Sequence, residues 1–215
     1  MPSSQEILDG LGAIANGWRT LAIAWHVVFA AGLIALVVGW RPGRRLAGTL
    51  LAIPLASVSL LAWLSGNPFN GTTFAVTALA LAGIGLRLSR DRIKIGARWP
   101  VILGVCLAAF GWVYPHFLQT DSWATHLYAA PLGLIPCPTL SAVVGIALVF
   151  RGLDSRGWSL VLAAIGVVYG LIGWLRLGVT VDAVLLFGAA VLAIAAASRI
   201  GQDNPEWNGV AGGVR

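Results

Sequence analysis

Long apolar segments separated by short polar stretches make up most of this chain. A helix that crosses a bilayer needs about 20 mostly apolar residues, because the hydrocarbon core is about 30 Å thick and each residue rises about 1.5 Å. Seven such segments are present, some of them short: 18–40, 46–64, 72–88, 99–114, 134–150, 159–175 and 179–198. Tryptophans bracket several of them, as expected for indole rings at a membrane interface. The pattern predicts an all-α bundle of seven transmembrane helices.

The composition supports the same class of protein. Hydrophobic residues make up 58% of the 215 residues and charged residues 10%, against about 25% charged in soluble proteins. The mean hydropathy is +0.86. We therefore expect one transmembrane domain over residues 1–200, surrounded by lipid, and a flexible cytoplasmic tail over 201–215. The first 16 residues carry acidic but no basic side chains, so the first span is expected to be retained rather than cleaved as a signal peptide.

The basic residues predict the orientation of the bundle. Of the 14 Lys and Arg residues, 12 follow spans one, three, five and seven, and only Arg19 and Arg176 fall on the other side. Basic residues are enriched in cytoplasmic loops. We therefore expect the N-terminus outside, the C-terminus in the cytoplasm and a location in the bacterial inner membrane. Because topology explains the net charge of +6, no nucleic-acid partner is expected.

Several kinds of chemistry are excluded by the residues present. The only lysine, Lys94, lies in a predicted cytoplasmic loop, so no span offers a lysine for a retinal Schiff base. The sequence has no G-x-S-x-G, no H-E-x-x-H and no phosphate-binding loop. Cys106 and Cys137 do not form a C-x-x-C pair, and their different predicted depths argue against a disulfide. These absences favour a protein that is not an enzyme.

The polar residues that could bind a ligand lie on the predicted outer side. The candidate ligand-binding residues are His26, His116, Asp121, His126, Cys137, Thr139 and Asp182. Several also have a purely structural interpretation: His26 can bond between helices, and Asp121 and Asp182 can cap helices. Asp182 can also pair with Arg176. Both interpretations stay open from the sequence alone.

Cys137 is the most unusual of these residues. The flanking Pro136 and Pro138 lack backbone N–H groups, so the sequence predicts an irregular or re-entrant segment over 130–138, with the helix beginning at Thr139. Irregular backbone inside a membrane requires contact with protein or a water-filled cavity. A thiolate with imidazoles also suits copper or zinc. Cys137, His126 and His26 are therefore candidate ligands for copper, zinc or haem.

Two short motifs favour ordinary interpretations. Gly166 and Gly170 form a G-x-x-x-G in span six, which we interpret as a helix-packing contact. Asn70-Gly71-Thr72 matches a glycosylation acceptor, but it abuts a predicted span and we assign it no function.

The segment from Tyr114-Pro115 to Thr139 resembles the signature of a bacterial integral-membrane family that is defined as a domain of unknown function. The family pattern is Tyr-Pro, a spacer, Gly-His-x-Tyr-Pro and then Gly-x-x-Pro-Cys-Pro-Thr-Thr, leading into a helix. The Pro136-Cys137-Pro138-Thr139 core is intact, whereas the chain departs from the pattern at three places: Thr125, Ala129 and Leu140. The resemblance implies a seven-span fold and draws attention to His126 and Cys137. It implies nothing about a substrate.

Three functional hypotheses follow from the sequence. The first is a small, permease-like protein that handles a solute or ion at a polar site near the outer face. The second is a metal- or haem-binding redox protein. The third is a non-catalytic subunit of a larger membrane complex or homo-oligomer.

Overall fold

A computed structural model describes residues 3–198, and the predicted tail 201–215 lies outside these described residues. Every regular element of this range is helical. The helices are α1 (Ser4–Gly17), α2 (Arg19–Val37), α3 (Arg44–Leu64), α4 (Pro68–Arg87), α5 (Arg98–Val113), α6 (His126–Ala129), α7 (Pro136–Val149), α8 (Arg156–Leu171) and α9 (Ala183–Ala197). A wider π-helical turn, Ile172–Arg176, extends α8, and a 3-10 turn, Thr180–Asp182, precedes α9.

Each of the seven predicted segments coincides with a helix. Five helical stretches are long and apolar enough to cross a membrane: α2, α3, α4, α8 with its extension, and α9 with the turn before it. The remaining two, α5 and α7, are apolar but only 16 and 14 residues long. The chain is therefore a helical integral membrane protein.

Hydrogen bonds between segments distant in sequence define two ends of the bundle. At one end, the Ser4 hydroxyl donates to the Arg176 carbonyl at 3.0 Å, and the Asn16 amide donates to the Phe117 carbonyl at 2.9 Å. We call this the cavity end; it comprises α1 and residues 65–67, 114–135 and 177–182. At the other end, the backbone N–H of Gly96 donates to the Val149 carbonyl at 2.9 Å. We call it the arginine end; it comprises residues 38–43, 88–97 and 150–155.

Helix α7 lies at the centre of the bundle and is buried along almost its whole length. Small residues let α5 approach it closely. A Cβ atom on Gly104 would lie 2.5 Å from the Gly145 carbonyl oxygen, and one on Gly111 would lie 2.5 Å from the Pro138 oxygen. Such contacts between backbones replace the hydrophobic driving force that lipid cannot supply.

The G-x-x-x-G interpretation is confirmed as a packing contact between α8 and α9. A Cβ atom on Gly166 would lie 2.8 Å from the Ala189 side chain, and one on Gly170 would lie 2.8 Å from the Leu186 backbone nitrogen. Both glycines therefore bring α9 close to α8.

Helix α1 was not predicted from the sequence. Ser3 and Glu6 form a capping box, in which the Ser3 hydroxyl accepts from the Glu6 N–H and the Glu6 carboxylate accepts from the Ser3 N–H. On one face, Leu11 and Ile14 are buried in a small apolar cluster with Ile135. Because this helix packs over the cavity end, it forms part of the wall of the site described next.

Candidate functional site

A cavity of about 550 Å³ opens at the cavity end. Its walls are α1, the turn between α3 and α4, the first turn of α7 and the end of α8. Apolar groups form most of the surface. The polar and charged residues that line it are Glu6, Ser65, Asn67, Asn70, Cys137, Tyr169, Arg176 and Asp182.

Asp182 supplies a buried carboxyl group to the cavity wall, with 2% of its surface exposed. The Tyr114 hydroxyl donates to its Oδ1 at 2.6 Å. Its other oxygen occupies the space where a Cβ atom of residue 173 would lie, so only glycine fits at position 173. Tyr114 and Gly173 thus fix the carboxyl group from two sides.

Asp182 stands at the N-cap position of α9, as one structural interpretation predicted, but its side chain makes no capping hydrogen bond. Within residues 3–198 the only salt bridge joins Arg151 and Asp154, so Asp182 is not paired with Arg176. A carboxyl group is costly to bury without a counter-charge. The absence of a paired cation makes Asp182 the clearest functional candidate in the described chain.

Cys137 lies in the first turn of α7 and lines the same cavity. The helix begins at Pro136 rather than at the predicted Thr139, because the first turn of a helix needs no partner for its N–H groups and so accommodates both prolines. The thiol lies close to the Asp182 carboxyl group. Cys137 and Cys106 are both free, which confirms the prediction that they form no disulfide.

Asn70 and Tyr169 form a second polar pair in the wall, and sequence reasoning missed both as site residues. The Tyr169 hydroxyl donates to the Asn70 Oδ1 at 2.8 Å, and the Phe74 ring packs edge-on against Tyr169 at 5.0 Å. No hydrogen bond from the Asn70 amide nitrogen to another protein group occurs within residues 3–198. This nitrogen is therefore a donor available to a ligand.

Two opposite charges stand at the rim of the cavity. The backbone N–H and hydroxyl of Ser3 donate to Glu6 at 2.6 and 3.0 Å, and these bonds lower the pKa of the Glu6 carboxyl group. Glu6 is accordingly an anion at neutral pH. Arg176, also exposed, carries the opposite charge across the opening. The rim is therefore balanced, and the charge preference of the cavity depends on Asp182.

The three histidines do not line the cavity. His26 is buried between α2 and α5, where its ring nitrogens lie 2.8 Å from the Ala22 carbonyl and 3.0 Å from the Trp112 carbonyl. This arrangement matches the structural interpretation, a bond between helices. His116 is exposed and packs edge-on against Phe117. His126 is buried in α6, and its Nδ1 has no hydrogen-bond partner within the described range.

Asp121 and Thr139 also lie outside the cavity lining. Asp121 is exposed in the loop before the Trp123–Thr125 turn, whose N-cap is Ser122 rather than Asp121. The Thr139 hydroxyl accepts from the Gly133 N–H at 2.9 Å and donates to the Ile135 carbonyl at 2.7 Å. Thr139 is fully buried. It therefore stabilises the irregular segment before α7 and has no hydroxyl hydrogen left for a ligand.

The predicted metal ligands are not brought together. Among residues 3–198, no group of three or more His, Cys, Asp and Glu side chains is placed to hold a metal ion. Cys137 lies in the cavity wall, whereas His26 and His126 are buried elsewhere. The geometry thus gives no support to copper, zinc or haem on this set.

No family profile, curated protein or solved structure matches the chain. The functional argument therefore depends on the residues of the cavity.

Proposed function

We propose that the chain crosses the bacterial inner membrane seven times, with its N-terminus and the cavity outside. The seven helices α2–α5 and α7–α9 connect the cavity end and the arginine end in alternating directions, whereas α1 and α6 lie at the cavity end. Ten of the 12 basic side chains in residues 3–198 lie on the arginine-end side, which the positive-inside rule places in the cytoplasm.

The shorter of the two short helices, α7, fits this topology because other helices surround it. Helix α7 is about 21 Å long by helix rise, less than the hydrocarbon thickness of about 30 Å. The buried irregular segment from Ala130 to Ile135 continues from its outer end. Irregular backbone at membrane depth is tolerated when protein surrounds it. We also propose that the chain belongs to the family that residues 114–139 resemble. The support is that Cys137, part of the intact Pro-Cys-Pro-Thr core of that pattern, lies in the cavity wall.

We further propose that the protein binds a small solute in the cavity and handles it as a permease-like unit. The observation that carries the proposal is the buried Asp182 carboxyl group, which faces a cavity and forms no salt bridge among the described residues. Buried ionisable groups in membrane proteins commonly mark paths of ions or substrates. A ligand that supplies a positive charge offsets the cost of burying this carboxylate.

The cavity lining favours a small organic ammonium compound. Its ammonium group would approach Asp182, while its apolar body contacts Phe117, Ile135 and Ile172. A polar substituent is accommodated by the Asn70 amide. The first turn of α7 forms part of the cavity wall, so a permease-like role would require α7 and the helices around it to move apart.

The test is thermal unfolding of the purified protein with three panels of solutes of equal size: primary amines, carboxylates and neutral alcohols. A ligand present at 100 times its Kd stabilises a protein by about 2.7 kcal/mol, so a binding amine should raise the Tm by several degrees. We expect Asp182→Asn to abolish this shift. Asp121→Asn, which removes an exposed carboxylate at the same end, should retain it.

Labelling of Cys137 provides an independent readout. In a Cys106→Ala variant, a small thiol reagent should modify Cys137 from the cavity, and a bound amine should slow the reaction. Stabilisation by carboxylates but not amines, or an unchanged shift in Asp182→Asn, contradicts the proposed ligand. Failure of Cys137 to react under any condition contradicts the open cavity itself.

A further inference from the structure

A second cavity lies on the opposite side of α5 and α7 from the proposed solute site. It is an apolar groove of about 540 Å³ between α2, α5 and α7. The groove begins at Phe29 and Trp112 and reaches Arg41 and Ile95 at the arginine end. Only Ala22 and His26 of α2 are buried, and both precede the groove, so the second half of α2 is packed only in part, with Leu36 against the core.

The groove extends along the part of α2 that lies toward the arginine end. From Phe29 to Val37, where α2 ends, the helix rises about 12 Å, and the turn that follows leads to Arg41. Half of the hydrocarbon core is about 15 Å thick. The groove is therefore comparable in length to one leaflet, and a linear hydrocarbon chain that enters from the arginine end can lie along it.

Among residues 3–198, Arg41 is the only charged side chain that lines the groove. Its Nη1 donates to the carbonyls of Leu36 at 2.6 Å and Trp40 at 3.1 Å, which fix the guanidinium at the mouth. Within residues 3–198, neither Nε nor Nη2 donates to a protein group, and no acidic side chain pairs with Arg41. These two donors suit the planar, bidentate binding of a phosphate.

We propose that this groove is a binding site for an anionic phospholipid, with one acyl chain along α2, α5 and α7 and the phosphate on Arg41. The surrounding charge favours an acidic headgroup, since Lys94 adjoins Ile95 and Arg98 begins α5. Such a lipid fills the gap that α2 leaves and completes the packing of the bundle. The site is independent of the solute cavity, so either proposal can fail alone.

Native mass spectrometry of the full chain in detergent tests the site, with phosphatidylglycerol and phosphatidylcholine of identical acyl chains as probes. We expect phosphatidylglycerol to bind about fivefold more tightly, the effect of one basic side chain near an anionic surface. Arg41→Gln should remove the preference, and Arg41→Lys should retain most of it. Arg87→Gln, an equal charge change at an exposed position of the same end, should leave it intact.

A second pair of variants tests the acyl-chain part of the site. Ala109→Phe fills the groove and should weaken binding of both lipids, whereas Ala56→Phe, on an exposed face of α3, should not. Equal affinity for the two lipids, or equal effects of Arg41→Gln and Arg87→Gln, overturns the headgroup assignment. Unchanged binding in a folded Ala109→Phe variant, or displacement of the lipid by inorganic phosphate alone, overturns the groove assignment.

Discussion

At the scale of single residues, the buried side chains of Thr139 and Asp182 differ in how fully other protein groups satisfy them. Thr139 uses its hydroxyl as both donor and acceptor on the backbone of the segment before it. Asp182 accepts a hydrogen bond from the Tyr114 hydroxyl but forms no salt bridge within residues 3–198. The first arrangement leaves no hydroxyl hydrogen for a ligand, whereas the second leaves a buried carboxyl group without an ion-pair partner. Residue type alone does not distinguish them, and the sequence placed both among the candidate ligands.

Removal of the Thr139 hydroxyl should therefore destabilise the protein without altering the solute site. Thr139→Val leaves the Gly133 N–H and the Ile135 carbonyl with one fewer bond each, and a buried unsatisfied group costs about 1–3 kcal/mol. We expect a lower Tm for Thr139→Val and a near-normal one for Thr139→Ser. Amine binding, measured by Cys137 protection in the Cys106→Ala background, should persist in both. A valine variant as stable as the parent would show that these backbone groups find other partners.

The residue scale also shows why the sequence located the site only in part. Cys137 and Asp182 were recognisable because flanking prolines and an intramembrane carboxylate are rare in an apolar chain. Asn70 and Tyr169 lie 99 positions apart and become a pair only when α4 packs against α8. His26 and His126 were chosen as polar residues near the same face, but depth along a helix does not indicate which neighbour a side chain faces.

At the scale of elements, the turn between α7 and α8 has an unusual backbone. All four residues of Arg151–Asp154 have positive φ, at 54°, 55°, 55° and 49°. Left-handed conformations cost about 1–2 kcal/mol for each residue other than glycine, and only Gly152 is exempt. Arg44 stabilises this turn: its Nε donates to the Leu153 carbonyl at 2.7 Å and its Nη2 to the Asp154 carbonyl at 2.6 Å. A strained turn therefore depends on a side chain from α3.

Substitution of Arg44 should lower stability more than loss of a surface arginine does. Hydrogen bonds from a charged group contribute about 1.5–3 kcal/mol each, so Arg44→Ala should cost about 3 kcal/mol or more in the free energy of unfolding. Arg44→Lys, which can replace one of the two bonds, should fall between the parent and the alanine variant. Arg87→Ala provides the control, because Arg87 is exposed at the same end. Equal losses of unfolding free energy in Arg44→Ala and Arg87→Ala would mean that the turn keeps its conformation without the Arg44 hydrogen bonds.

Glycines in the helices offer a second test of packing. Gly170→Ala places a Cβ atom 2.8 Å from the Leu186 backbone nitrogen, so α8 and α9 must separate; overpacking of this kind costs about 1–3 kcal/mol. Gly83→Ala meets nothing within 4 Å and should be neutral or stabilise by up to about 1 kcal/mol. The Tm of Gly170→Ala should therefore fall, whereas the Tm of Gly83→Ala should stay the same or rise. A stable Gly170→Ala protein would contradict the close contact of α8 with α9.

At the scale of the whole molecule, the hydrophobic pattern predicted the seven principal helices because a bilayer demands long, internally bonded apolar segments. It did not predict α1, whose apolar face is short and whose main local signal is the Ser3–Glu6 capping box. The cavity depends on that helix for one wall. The membrane part of the fold could thus be read from the sequence, whereas the shape of the site required the tertiary arrangement.

The orientation of the whole molecule determines which compartment the solute cavity faces. Single cysteines can be introduced into a Cys106→Ala, Cys137→Ala background at exposed loop positions. We expect Ser65→Cys, His116→Cys and Arg176→Cys to react with a membrane-impermeant maleimide on intact cells. Lys94→Cys and Arg156→Cys should react only after the membrane is permeabilised, because the basic residues concentrate at their end. Labelling at 94 in intact cells, with none at 116, would show that the topology is the reverse of the proposed one. The arginine end would then face outward, and the cavity around Asp182 would take its solute from the cytoplasm.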